Sequence, residues 1–118
     1  MVKLEQLAAA ALEGESLLLR SLTQVLLREQ PSLSQYPKPR TDDARLLAAA
    51  ASLIELLALR MHQLPPLWTK EVGPLPEPVY LLKAAAGMKR LRQLCETEAP
   101  EPLRKRGFYA PPNFLEFA

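Results

Sequence analysis

With a single cysteine, a single histidine and four isolated glycines, the chain of 118 residues lacks the raw material for several kinds of site. Cys95 alone forms no intrachain disulfide, which excludes a disulfide-stapled scaffold. Cys95 and His62 together are too few for zinc-ligand spacing. Gly14, Gly73, Gly87 and Gly107 stand apart, so no glycine-rich loop cradles a phosphate. The longest apolar run, Leu46 to Ile54, is interrupted by Ser52 and ends at Glu55, well short of the ~18–20 residues that span a bilayer. The opening Met1-Val2-Lys3-Leu4-Glu5-Gln6 places an acid where a signal peptide carries basic residues. The expectation is a cytoplasmic protein with no membrane span. Aromatic residues are scarce (6%), and most of them sit toward the C-terminus.

What the chain does have is leucine and alanine. Hydrophobic residues make up 48% and charged residues 24%, a balance that folds and does not stay disordered. Few residues are β-branched, so composition leans to helix. Leu4, Leu7, Ala11, Leu12, Leu18, Leu19, Leu22, Val25 and Leu26 recur at helical spacing and predict one long helix from about Val2 to Glu29, bent if anything at Gly14. Thr41-Asp42-Asp43 supplies an N-cap for a second helix, whose stripe is Leu46, Leu47, Ala50, Leu53, Ile54, Leu57 and Met61 and whose end is marked by Pro65-Pro66. A third helix covers about Lys83 to Glu98, with Ala85, Met88, Leu91, Leu94 and Cys95 inward. Between the second and third lies a proline-rich stretch, Pro65 to Pro78, too apolar for a flexible linker. It predicts an ordered loop with Trp68 as a largely buried anchor. The expected fold is all-α over one domain, 1–118: a compact bundle of three main helices, the proline-rich loop and an aromatic C-terminal tail.

The chemistry points away from catalysis. Cys95 lies on an apolar face with no nucleophile motif around it, and Asp42-Asp43 is explained as a helix cap. No catalytic, cofactor-binding or metal-binding residue is expected, and the chain reads as a non-enzyme. Two features suggest partners instead. Arg104-Lys105-Arg106, with Lys83, Lys89, Arg90 and Arg92, makes the last third basic, and Tyr80, Phe108 and Tyr109 are interleaved with it. That pattern keeps open a nucleic-acid-binding regulator, although a net charge of +2 and pI near 8.8 are mild. The tail gathers Phe108, Tyr109, Phe114, Leu115 and Phe117, apolar surface that either folds back or docks on another protein. The candidate partner-binding residues are therefore Arg104, Lys105, Arg106, Phe108, Tyr109, Phe114, Leu115 and Phe117. Removing residues 113–118 is expected to spare stability and abolish binding.

The run Glu98-Ala99-Pro100-Glu101-Pro102-Leu103-Arg104-Lys105-Arg106-Gly107-Phe108-Tyr109, with Pro111-Pro112-Asn113-Phe114-Leu115 and the earlier Pro65-Pro66-Leu67-Trp68 and Pro76-Glu77-Pro78, resembles the C-terminal end of small uncharacterised bacterial proteins. These are encoded beside nucleotidyltransferase-like proteins in a toxin–antitoxin-like arrangement. Over the second half of the chain, the resemblance implies an adaptor or antitoxin-like protein that binds such a partner without catalysing anything.

Overall fold

Helix α1 (Leu4–Glu13) and helix α2 (Ser16–Glu29) are separate, not one bent rod. The break is local chemistry. Gly14 adopts φ 72°, its N–H bonds the carbonyl of Ala11 at 3.2 Å, and Glu15 N–H bonds that of Ala10 at 3.0 Å. This pair of bonds is the Schellman ending, which glycine accepts without a Cβ clash. A computed structural model describes residues 3–29, 32–81, 88–112 and 114–115 of the protein. Within them the remaining helices are α3 (Ala44–Arg60), α4 (Lys89–Glu98) and the single turn α5 (Glu101–Arg104). Two 3-10 turns, Leu33–Gln35 and Leu67–Glu71, flank α3 in sequence.

Helix α3 is the axis of the core. Asp43 caps it as its sequence implies, accepting from the N–H groups of Arg45 (2.9 Å) and Leu46 (3.2 Å). Every residue from Ala48 to Ile54 is buried, so the helix is enclosed on all sides and not along one stripe. α1, α5 and both 3-10 turns pack against it, and α1 also meets α2. The alanines 48–51 let these neighbours approach closely, while Leu53, Ile54, Leu56 and Leu57 supply bulk. Full burial of such a side chain contributes ~1.5–3 kcal/mol. The helix stops at Arg60, several residues before Pro65. His62 takes φ 54°, and the bonds His62 N–H to Leu59 O (3.3 Å) and Gln63 N–H to Ala58 O (2.8 Å) repeat the Schellman ending seen at Gly14.

The arrangement differs from three main helices side by side. α4 lies at the periphery, with only Cys95 buried, and Met88 is exposed where an inward position was expected. Ala85 and the start expected for this helix at Lys83 fall outside the described residues. Residues 65–81 form an ordered wrap: Pro66 and Thr69 are buried, Thr69 Oγ1 donates to Pro66 O at 2.8 Å, and Trp68 Nε1 donates to Tyr36 O at 2.8 Å. Trp68 itself is half-buried and so is less enclosed than expected. The wrap ends in a feature that the all-α expectation did not contain. Strand β1 (Val79–Tyr80) pairs in parallel with β2 (Phe108–Tyr109), Val79 opposite Phe108 and Tyr80 opposite Tyr109. Bonds from Val79 N–H to Gly107 O (2.8 Å) and Leu81 N–H to Tyr109 O (3.0 Å) close the ladder. The Cα radius of gyration is 13.2 Å, close to the ~13–14 Å of a compact chain this long.

Candidate functional site

The basic triplet is largely turned to internal use. Arg106, 3% exposed, has each of its three nitrogens engaged. Nε donates to Val72 O at 3.1 Å, Nη2 to Thr69 O at 2.7 Å, and Nη1 to Pro102 O at 3.4 Å and to the Glu55 carboxylate. Glu55 also receives Lys105 Nζ at 3.2 Å. The guanidinium therefore ties α3, the Leu67–Glu71 turn and α5 together. Planar, forked donors suit that task because one group satisfies several acceptors at fixed angles. Arg104 is exposed and donates to Thr97 O at 3.1 Å. Arg106 is thus a correction: as a buried tie it is withdrawn from any phosphate or partner. The three side chains do not form a continuous basic surface.

The aromatic tail also folds inward. Gly107, at φ 89°, turns the chain from α5 into β2, and a Cβ there would meet nothing closer than 3.7 Å, so conformation and not space selects glycine. Phe108 is fully enclosed and Leu115 is buried. Leu115 sits at φ 66°, which costs roughly 1–2 kcal/mol for a residue with a Cβ, an amount that its burial offsets. Arg60 holds the segment from outside, donating to Phe114 O and, at 3.2 Å, to Pro112 O. Phe108 and Leu115 are accordingly corrected from docking groups to core. Tyr109 and Phe114 remain half-exposed, and Phe117 lies outside the described residues. Leu115 is part of the core, so the expectation that removing residues 113–118 spares stability conflicts with its burial.

One polar cluster is built at the surface. Tyr80 Oη donates to Glu96 Oε1, Arg92 Nε donates to Tyr80 Oη at 3.3 Å, and the Arg92–Glu96 ion pair spans 3.4 Å. The Arg92 guanidinium lies 5.7 Å from the Tyr80 ring centroid, and the Tyr80 and Tyr109 rings meet at 5.4 Å, tilted by 53°. The bond to Glu96 raises the Tyr80 pKa above its ordinary value of 10.0, and Arg92 opposes that shift. The cluster fastens α4 to the strand pair. Cys95 is buried, and burial, then the neighbouring Glu96, pushes its thiol pKa up, which is the direction of an inert thiol. His62 is exposed at the end of α3. Among the described residues no three His, Cys, Asp or Glu side chains are grouped to hold a metal ion, and no helix is long and apolar enough to cross a membrane.

The surface that sequence reasoning missed is apolar. Leu59 (61% exposed), Met61 (47%), Leu64 (80%) and Leu67 (80%) lie at and just beyond the C-terminal end of α3. Leu59 also lines a shallow groove of about 230 Å³ with Glu55, Gln63, Pro65, Pro102 and Lys105. Met61, expected in the buried stripe, follows the last residue of α3, and its side chain turns out. A signal for Leu59 is present in the sequence: two residues beyond Leu57 is about 200° round a helix, opposite the inward face. Leu64 and Leu67 bracket Pro65-Pro66, where periodicity carries no information. No family model, curated protein or solved structure matches the chain at a significant level.

Proposed function

We propose that the protein is a non-catalytic binding partner of another protein and docks through the apolar edge at the end of α3. The single observation that carries this reading is the set Leu59, Met61, Leu64 and Leu67, exposed together between residues 59 and 67. Large apolar side chains exposed within so short a stretch of chain are a surface that docking on another protein would remove from water. Pro65-Pro66 and the Schellman ending hold the edge in shape, so little conformational entropy is lost on docking. The half-exposed Tyr109 and Phe114 of the tail are secondary candidates for contact. An adaptor or antitoxin-like role is one form of such binding, and the resemblance of the second half of the chain makes a nucleotidyltransferase-like protein the partner to try first. The nucleic-acid reading is weaker, because Arg106 and Lys105 are both committed to Glu55.

The test is affinity capture from the native host with wild type and a Leu64→Glu/Leu67→Glu variant of unchanged helix content. Both side chains are exposed, so the fold is expected to tolerate the charges. A host protein retained by wild type and lost from the variant supports the reading. Identical capture by the two chains refutes docking at this edge, and capture that collapses with modest salt while surviving the substitutions reassigns binding to charge.

A further inference from the structure

The start of α1 and the stretch 36–40, distant in sequence, meet along a cleft of about 560 Å³. Leu4 and Tyr36, both buried, supply apolar wall, and Lys3, Lys38 and Arg40 bring three cations against the one carboxylate of Glu5. None of these cations has a carboxylate partner among the described residues. That contrasts with Arg92, Lys105 and Arg106, each of which is neutralised by a neighbour. The backbone that carries Lys38 and Arg40 is held in place. Pro37 and Pro39 fix φ, Pro39 is buried, and the Tyr36 carbonyl accepts the Trp68 indole N–H at 2.8 Å. On the opposite wall, the positive end of the α1 dipole adds to the charge of Lys3.

We propose that this cleft binds a small phosphate-bearing molecule, its phosphates on Lys3, Lys38 and Arg40 and its organic body against Leu4 and Tyr36. The cleft falls within the ~300–1,000 Å³ of small-molecule sites. Exposed cations are screened by salt, so a multiply charged phosphate is held where a single carboxylate is not, and arginine matches its oxygens in pairs. The cations that line the cleft are Lys3, Lys38 and Arg40, and so small a group around a concavity favours a compact ligand over a polynucleotide.

Titration of the full chain with inorganic pyrophosphate and with ADP, by calorimetry at low ionic strength, tests this. The comparison is between wild type, Lys38→Ala/Arg40→Ala, and Lys89→Ala/Arg90→Ala, which removes the same charge from the exposed start of α4. Saturable binding is expected, tighter for ADP than for pyrophosphate, weakened about tenfold or more in the cleft variant and much less in the α4 variant. The proposal is overturned if neither probe binds at millimolar concentration, or if the two variants lose affinity equally. It is also overturned if a single-stranded oligonucleotide binds while both small probes fail. ADP binding no tighter than pyrophosphate overturns the role given to Leu4 and Tyr36.

Discussion

Replacing Arg106 by alanine removes a side chain that joins α3, the Leu67–Glu71 turn and α5, and its cost follows from what is left behind. Glu55, only 10% exposed, loses its buried counter-ion, and the Val72 carbonyl loses its 3.1 Å donor. Breaking a buried pair from one side costs ~3–5 kcal/mol. Lys105 stays near Glu55 at 3.2 Å and partly compensates, so a loss of about 3 kcal/mol is expected, or ~10–15 °C in Tm for a chain of this size. Lys105→Ala should cost less than ~1 kcal/mol, since its side chain is 47% exposed and water screens the pair. Arg106→Met combined with Glu55→Leu should recover part of the loss by removing the stranded carboxylate, but not all, because the carbonyls still lack donors. The assay is urea denaturation followed by far-ultraviolet circular dichroism, with an unchanged m-value required for comparison. An Arg106→Ala loss below about 1 kcal/mol would refute the buried tie, because stranding a buried carboxylate costs several times that. So would a Lys105→Ala loss equal to it.

Three further outcomes follow from particular residues. His62→Gly should stabilise the protein by up to ~1 kcal/mol, because His62 fills at φ 54° the position that Gly14 fills at φ 72° in the same helix ending; a destabilised variant would mean the imidazole makes a contact that outweighs the backbone. Ser52→Ala should be neutral or stabilise by about 1 kcal/mol, since the buried hydroxyl has no hydrogen-bond partner among the described residues, and a clear loss in thermal melts would show that it is bonded. In Glu96→Gln the tyrosine absorbance titration assigned to Tyr80 should move back toward 10.0, because the carboxylate holds it high. A phenol with a raised pKa contributes stability that is present below its ordinary value near 10 and lost as pH rises through the raised one. Glu96→Gln should therefore flatten the stability profile on that alkaline limb, and an unchanged titration would refute the bond.

Where information is local, the residues of this chain determine the outcome alone. The period of α3 and its Asp43 cap depend on neighbours three or four positions away, and both are legible. Gly14 is visible as an interruption, but whether it bends or ends a helix depends on the Schellman bonds that Glu15 and Gly14 make. Two-residue strands such as Val79–Tyr80 and Phe108–Tyr109 are too short to show any period, and they exist only because the chain brings them together across residues 81–107.

The fate of charge and of exposed surface was decided by tertiary structure. Nothing within several residues of Arg106 marks it as buried, since its carboxylate partner Glu55 lies 51 positions earlier and its carbonyl partners Thr69 and Val72 lie on a third segment. Phe108 and Tyr109 are adjacent aromatics of equal apparent promise, yet opposite sides of one strand place the first inside and the second at the surface. Leu53 and Leu59 share one helix and one chemistry. The first is enclosed and the second exposed because α3 is covered on all sides around Leu53, whereas near its end Leu57 and Ala58 are still buried and only the face that carries Leu59 is left open. Sequence determines which side chains gain by burial; only the assembled chain determines which of them there is surface left to cover.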